Sequence, residues 1–164
     1  MPQILILMGS DSDAPVMEAA GAVLSELGIT WEMTVASAHR SPARVMRLVD
    51  EAPARGVKAF IVGAGAAAHL AGVVAAHTTM PVIGVPIDSS ALKGLDALLS
   101  TVQMPPGVPV ATVSIGKPGA TNAGVLAAQI LAVGDAAIGQ RFAAYKKSLA
   151  EKVEKAAAKV EKQG

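Results

Sequence analysis

The chain has no cysteine, which excludes disulfide bonds, thiolate nucleophiles and cysteine-bound metals. Aromatic residues make up only 2% of its 164 residues, and this scarcity argues against a surface that stacks nucleic-acid bases. The net charge of +1 provides no general attraction to nucleic acid or anionic membranes. Long uninterrupted apolar runs and a basic N-terminal signal segment are also lacking. We therefore expect a cytoplasmic protein that binds neither nucleic acid nor membrane.

Hydrophobic residues, in contrast, account for 52% of the chain, while charged residues account for 16%. This proportion is high for a monomer of this length. It indicates strands that are buried on both faces of a sheet, together with apolar surface that other subunits cover.

Short apolar runs alternate with amphipathic stretches along the chain. Strands are predicted at 3–8, 30–35, 59–63, 82–85 and 110–113, and helices at 13–27, 42–55, 66–77, 94–102 and 123–137. Five such units predict an α/β fold, a three-layer αβα arrangement around a five-stranded parallel sheet with flavodoxin-like strand order. We expect a single catalytic domain over 1–164, with an α/β core at 1–138 and a C-terminal helical extension at 139–164.

The segment 140–163 is rich in Lys, Glu and Ala, a composition that favours helix. Leu149, Val153, Ala156 and Val160 fall on one helical stripe. The segment is either a solvated tail or a helix that packs on a neighbouring subunit. The apolar composition favours the second interpretation for the part before about residue 155.

Ligands of parallel sheets bind beyond the carboxyl ends of the strands, so the loops there are the candidate sites. After the first strand, Ser10 and Ser12 offer hydroxyls beside a helix N-terminus, which suits a phosphate. Asp13 is better placed for ribose hydroxyls. The alternative is an ordinary loop that caps the helix.

After the second strand, His39 and Arg40 lie in a turn just before a helix that Ser41 is predicted to cap. An imidazole can give and take a proton near neutral pH, and a guanidinium can bind a phosphate or carboxylate with two hydrogen bonds. This pair suits proton transfer next to an anion. A solvated surface pair is the alternative.

After the third strand, the run Gly63–Gly72 matches the pattern G-x-G-x-x-A. A dinucleotide site is disfavoured, because the match follows the third strand and no acidic residue ends the next one. We expect instead a loop that lets a flat ligand approach the backbone closely. His69 either binds that ligand or is a hydrogen-bonded residue of a tight loop.

The remaining loops, at 86–90, 103–107 and 116–122, have compositions more typical of structural turns. The histidines lie in separate segments and form no metal-binding motif, and no phosphate-binding P-loop or G-x-S-x-G elbow is present. These absences give no support to metal catalysis, ATP use or serine hydrolysis.

Taken together, the motifs closely resemble the PurE family, the N5-carboxyaminoimidazole ribonucleotide mutases of purine biosynthesis. The resemblance runs from about Ile4 to Leu131. It rests on the following segments in one order: Gly9–Asp13, Ser37–Arg40, Gly63–Gly65, Ala67–Leu70, Gly84–Pro86, Gln103–Pro105 and Asn122–Leu131.

The resemblance implies a mutase that moves a carboxyl group from the exocyclic nitrogen of an aminoimidazole ribonucleotide to ring carbon C4. It implies that CO2 is released and recaptured without metal, ATP, biotin or another cofactor, and that His39 is the general acid and base. The substrate-binding residues that we predict are Ser10, Ser12, Asp13, Ser37, Arg40, Gly65, His69 and Leu70. The family also assembles as octamers whose C-terminal helices cross between subunits.

Two residues depart from the commonest family pattern. Ala66 occupies a position where many members have glycine, and Ala71 one where many have proline. A methyl group at these positions is expected to narrow the pocket near the ring.

Two alternatives remain open at this point. One is a carboxylase that combines aminoimidazole ribonucleotide with free CO2, and the other is a non-catalytic nucleotide-binding or flavin-binding module. Direct transfer of the unstable substrate from the preceding synthetase is a further hypothesis.

Overall fold

The computed structural model describes residues 1–162. Its strands are β1 (Ile4–Met8), β2 (Trp31–Val35), β3 (Ala59–Gly65), β4 (Val82–Ile87) and β5 (Ala111–Thr112). Its α-helices are α1 (Ala14–Glu26), α2 (Pro42–Glu51), α3 (Leu70–His77), α4 (Leu95–Val102), α5 (Gly116–Ala132) and α6 (Ala136–Glu161). A 3-10 turn at Asp11–Asp13 precedes α1.

The five strands form one parallel sheet in the order β2-β1-β3-β4-β5. This order confirms the predicted flavodoxin-like topology. Because the strands are parallel, their carboxyl ends all lie at one edge of the sheet, and the loops after β1, β2, β3 and β4 are neighbours there.

Both faces of the sheet are covered. Ile4 and Ile6 of β1 belong to one buried cluster with residues of α1 and α5. Leu5 and Leu7 belong to a second cluster with residues of α2 and α3. Because successive side chains of a strand point to opposite faces, this alternation explains why all five residues of β1 are buried.

Four helix boundaries differ from the sequence prediction by four residues or more, and one of them is the end of α5, at Ala132 instead of 137. Helix α5 begins at Gly116, seven positions before the expected start at 123, and so includes the segment predicted as a turn. Helix α3 begins at Leu70, because β3 continues to Gly65 and Ala66 has a left-handed backbone conformation. Helix α2 ends at Glu51, two residues before Pro53, which has no N–H to continue the helical hydrogen bonds.

Helix α6 is anchored at its N-terminus. Asp135 Oδ1 accepts hydrogen bonds from the N–H groups of Ala137 (2.9 Å) and Ile138 (3.1 Å), and Ile138 is buried. Arg141 Nε donates to the Leu27 carbonyl oxygen at 2.6 Å. Farther along, Val153 and Val160 are 65% and 71% exposed. The predicted helix is confirmed, while its packing on a neighbour stays a prediction, and Gln163 and Gly164 lie outside the described residues.

Across residues 1–162, none of the helices has the length and apolarity needed to cross a membrane.

Candidate active site

A cavity of about 180 Å³ lies where the loops after β1, β2, β3 and β4 meet. All nine predicted site residues line it: Ser10, Ser12, Asp13, Ser37, His39, Arg40, Gly65, His69 and Leu70. The rest of the lining is Gly9, Ala38, Ala64, Ala67 and Ser89. The structure thus brings the predicted residues together, while their roles in binding and catalysis stay predictions.

The loop after β1 is held by local hydrogen bonds. The Ser10 N–H donates to Asp13 Oδ2 at 3.1 Å, and Ser12 Oγ donates to Ser10 Oγ at 3.0 Å. The N–H groups of this turn are used within it, since the Ser12 N–H donates to Ser10 Oγ and Asp11 Oδ1 and the Asp13 N–H donates to the Ser10 carbonyl oxygen. The cluster combines hydroxyls with a carboxylate, which suits a phosphorylated sugar.

Burial raises the pKa of the Asp13 carboxyl above its ordinary value, and the nearby Asp11 charge adds to the increase. The hydrogen bond from the Ser10 N–H opposes it. Asp13 is only 5% exposed, so its charge is held at an energetic cost that a polar ligand could relieve.

The loop after β2 is a tight turn that carries His39 near its tip. The Ser37 N–H donates to Ser41 Oγ at 3.1 Å, and Ser41 Oγ donates back to the Ser37 carbonyl oxygen at 3.2 Å. Ser41 is the N-cap residue of α2, as predicted, but its side chain makes no capping hydrogen bond, because its hydroxyl is used to close this turn. The Arg40 N–H donates to Ser37 Oγ, and Arg40 Nη2 donates to the Gly9 carbonyl oxygen at 3.2 Å.

The two cavity histidines touch each other. His39 Nε2 and His69 Nδ1 lie 2.7 Å apart, and their rings are nearly perpendicular at 82°. A hydrogen bond at this distance requires one nitrogen to carry the proton and the other to accept it. Each imidazole can therefore fix the tautomer of the other, or pass a proton to it.

The loop after β3 has an unfavourable backbone conformation at Ala66 and is held by a hydrogen bond at Ala68. Ala66 has φ of 51°, a left-handed conformation that disfavours a residue with a Cβ. Two positions later, the Ala68 N–H donates to Ser100 Oγ on α4 at 3.0 Å. Neither Ala66 nor Ala71 lines the cavity, so the expected narrowing by their methyl groups is not seen.

Ser89 also lines the cavity, although the composition of the loop after β4 is typical of a structural turn. The available signal was its position directly after a strand whose carboxyl end lies at the same sheet edge. The segment after β5 lines no part of this cavity.

A second, more open cavity of about 490 Å³ adjoins the first and shares Gly9, Ser10, Ser37 and Arg40 with it. A ligand longer than the inner cavity can extend into this groove beside Arg40. Within residues 1–162, no group of three or more His, Asp or Glu side chains is arranged to hold a metal ion.

Comparisons with known proteins find relatives over nearly the whole chain. The family model of AIR carboxylase matches residues 3–152. N5-carboxyaminoimidazole ribonucleotide mutase from Pyrococcus horikoshii is 49% identical over 163 residues, which is 99% of this chain and 91% of that protein. Phosphoribosylaminoimidazole carboxylase from Candida glabrata is 47% identical over 99% of this chain, but the match covers 28% of that longer protein.

Among solved structures, Treponema denticola PurE superimposes with a TM-score of 0.87 and 31% sequence identity, covering 97% of this chain and 98% of that one. Together with the family model, which matches far more than half of the sequence, these similarities are decisive: the chain belongs to the AIR carboxylase family.

Proposed function

We propose that the protein is an N5-carboxyaminoimidazole ribonucleotide mutase, an isomerase of purine biosynthesis that produces 4-carboxy-5-aminoimidazole ribonucleotide. Family membership and the mutases that share 49% of their residues with it support this assignment. The observation that carries the mechanism is the contact of 2.7 Å between His39 Nε2 and His69 Nδ1 in the cavity.

The carboxyl transfer needs a proton that is delivered and then recovered. Protonated His39 donates to the exocyclic nitrogen as the bond between that nitrogen and the carboxyl carbon breaks, which leaves the neutral amine and CO2. Carbon C4 then attacks CO2 with its ring π electrons, forming the new bond to carbon. Neutral His39 removes the hydrogen from C4, which restores the aromatic ring and the starting state of the enzyme.

His69 acts as the positioning partner of His39. Because its Nδ1 faces His39 Nε2, it can hold the imidazole of His39 in one orientation between the two proton transfers. Ala38, Ala64 and Ala67 also line the cavity, while both histidines are exposed to solvent in the single chain.

The nucleotide is anchored on the β1 and β2 side of the cavity. We assign the phosphate to the hydroxyls of Ser10 and Ser12 and to the Arg40 guanidinium, and the ribose hydroxyls to Asp13. Ser37, Gly65 and Leu70 complete the binding surface by shaping the cavity. The open groove beside Arg40 supplies room that the inner cavity of about 180 Å³ lacks.

The experiment that tests this proposal follows the carboxyl group. The carbamate substrate carries 13C in its carboxyl, and the reaction runs in unlabelled buffer with and without bicarbonate. A mutase retains the label in its product and does not need bicarbonate. Dependence on bicarbonate with loss of the label would reject the mutase and support the carboxylase, and tight binding without turnover would support the non-catalytic module.

His39→Asn is expected to lower kcat by a factor of about 10² to 10⁴, because a positioned proton carrier contributes that much. Its effect on the nucleotide dissociation constant should stay small, since Arg40 and Asp13 remain. His77→Asn is the matched control, because His77 ends α3 and does not line the cavity. Near-normal turnover by the His39 variant would contradict the proposed mechanism.

We also propose that the protein works in the cytoplasm as a homo-oligomer, with an octamer as the expected size. Receipt of the unstable carbamate from the preceding synthetase by direct transfer is a further part of this proposal.

A further inference from the structure

Ser89 differs from the other serines and the histidines of the cavity in its hydrogen bonding. The hydroxyls of Ser10, Ser12 and Ser37 take part in local hydrogen bonds, and the two histidines bond to each other. The Ser89 hydroxyl has no hydrogen-bond partner within residues 1–162. It is the one hydroxyl of the lining that is wholly available to a ligand.

The Ser89 hydroxyl lies close to the backbone at the end of β3. Gly65 ends β3 and pairs with Ile87, which ends β4. A Cβ built on Gly65 would lie 1.8 Å from Ser89 Oγ, so the hydroxyl occupies the space that any side chain at position 65 would fill. A side chain at position 65 would therefore collide with Ser89, whether or not a flat ligand is bound.

The sheet order places Ser89 opposite the nucleotide anchor. Asp13 and Arg40 follow β1 and β2 on one side of the cavity, while Ser89 follows β4, on the other side of β3. His39 and His69, from the loops after β2 and β3, meet between them. A ribonucleotide anchored through its phosphate and ribose therefore extends its ring past the imidazoles toward Ser89.

We propose that Ser89 binds the migrating carboxyl group, donating a hydrogen bond to one of its oxygens. This inference rests on the proposed mutase function. A carboxylate can accept about four hydrogen bonds. In the proposed mechanism His39 serves the exocyclic nitrogen and C4, and His69 holds His39, so neither imidazole is assigned to the carboxyl oxygens. The Ser89 hydroxyl holds the group at both ends of its path, as the carbamate on nitrogen and as the carboxylate forming on C4.

The chemical consequence concerns the interval in which CO2 is detached. If the carboxyl carbon is held facing C4, the ring recaptures it and the reaction is an isomerisation. If it is not held, CO2 leaves the cavity, and the proton from His39 stays on the exocyclic amine. The net reaction is then carbamate plus proton to aminoimidazole ribonucleotide plus CO2. Ser89 thus controls the partition between transfer and decarboxylation.

The test measures that partition with 13C-carboxyl substrate in unlabelled bicarbonate buffer. In Ser89→Ala, the ratio of decarboxylated nucleotide to labelled product should rise about tenfold or more, as expected for loss of a hydrogen bond to a charged group. The nucleotide KM should change little, because the anchoring side chains are intact. Ser90→Ala is the matched control, since the Ser90 hydroxyl donates to Asp96 and does not line the cavity.

A Ser89 variant whose partition and label retention stay within about twofold of wild type would overturn the inference, given the size of a charged hydrogen bond. Equal CO2 escape in both serine variants would assign the effect to the loop and would also overturn it. If wild-type protein makes no labelled product, the proposed function itself fails. Success in wild type with an unchanged Ser89 variant rejects only the role of Ser89.

Discussion

Ala66 keeps a left-handed backbone, with φ of 51°, between β3 and the loop that carries His69. A Cβ in this conformation costs about 1–2 kcal/mol. We expect Ala66→Gly to increase the free energy of unfolding by about 1 kcal/mol, after the greater flexibility of glycine in the unfolded chain is subtracted. Denaturant unfolding at a fixed protein concentration measures the change.

Ala67→Gly provides the matched control, because Ala67 is adjacent and its φ is not positive. It should lower the free energy of unfolding by about 0.4–1 kcal/mol through the unfolded chain alone. Equal effects of the two substitutions would show that the conformation of Ala66 stores no strain.

Asp13 links stability of the fold to pH. Its raised pKa means that the folded protein disfavours the ionised carboxyl more than the unfolded chain does. Stability is therefore lost as the pH rises from the ordinary value of 3.8 through the raised pKa. Asp13→Asn should be more stable than wild type at pH 7, should lose that advantage below pH 3.8, and should bind the nucleotide more weakly.

Unfolding midpoints measured from acidic to neutral pH check this expectation. A variant that is less stable than wild type at neutral pH would contradict it, because the hydrogen bond from the Ser10 N–H would then outweigh the burial of the charge.

Nine residues of the site could be predicted from the sequence because each lies in a segment after a predicted strand, and parallel strands end at one edge. Ser89 was missed, because the composition of its loop is typical of a structural turn. The contact between His39 and His69 could not be predicted, since the two residues are 30 positions apart and the distance depends on how each turn is closed. The reciprocal hydrogen bonds between Ser37 and Ser41 close the turn that carries His39, whereas the sequence predicted that the Ser41 side chain would cap α2.

Helices α1 and α5 pack closely because Gly124 has no side chain. A Cβ at this position would lie 2.8 Å from the Ala20 carbonyl oxygen and 3.1 Å from Val23 Cβ. Since the nearest atom belongs to the backbone, the helices must separate to admit a methyl group. We expect Gly124→Ala to lower the free energy of unfolding by about 1–3 kcal/mol.

Gly139→Ala makes the same substitution in α6, at a position where the added methyl group has space. The added Cβ would meet Ala132 at no less than 3.8 Å, so the higher helix propensity of alanine should stabilise the protein by up to about 1 kcal/mol. Thermal unfolding of both variants distinguishes close packing from propensity. A Gly124 variant as stable as wild type would contradict the packing argument.

Strand order and the alternation of elements were predictable, because buried apolar runs and amphipathic stretches have different periods. The first residue of α5 and the last residue of β4 could not be predicted in this way. Pro118 lies in the first turn of α5, where its missing N–H is tolerated, although proline and glycine there are typical of a loop. Pro86 lies near the end of β4. Only Ile83 and Gly84 of β4 pair with β5, so on that side the strand is an open edge at Pro86, and an open edge can accept a proline.

At the scale of the whole molecule, a long apolar stripe on α6 is exposed to solvent in the single chain. Leu149, Val153 and Val160 are 40%, 65% and 71% exposed, as expected if another copy of the chain covers them. We expect Val153→Glu to lower the mass measured by light scattering at a given concentration, because a charge would be buried in the contact. Shortening the chain to end near Ala143 should weaken assembly further.

Ala158→Glu is the control for assembly, since Ala158 lies on the opposite side of the same helix and the added charge is the same. An unchanged mass for the Val153 variant and the shortened chain would argue against contact between subunits through α6.

Within the part of the chain that the structure describes, every residue that lines the inner cavity falls between Gly9 and Ser89. The later elements β5, α5 and α6 act as a scaffold that supports this wall from outside. We therefore expect that exchanging this one contiguous fragment of the gene, with the C-terminal portion left constant, changes ligand preference. Directed evolution of ligand specificity would start from the four loops after β1, β2, β3 and β4.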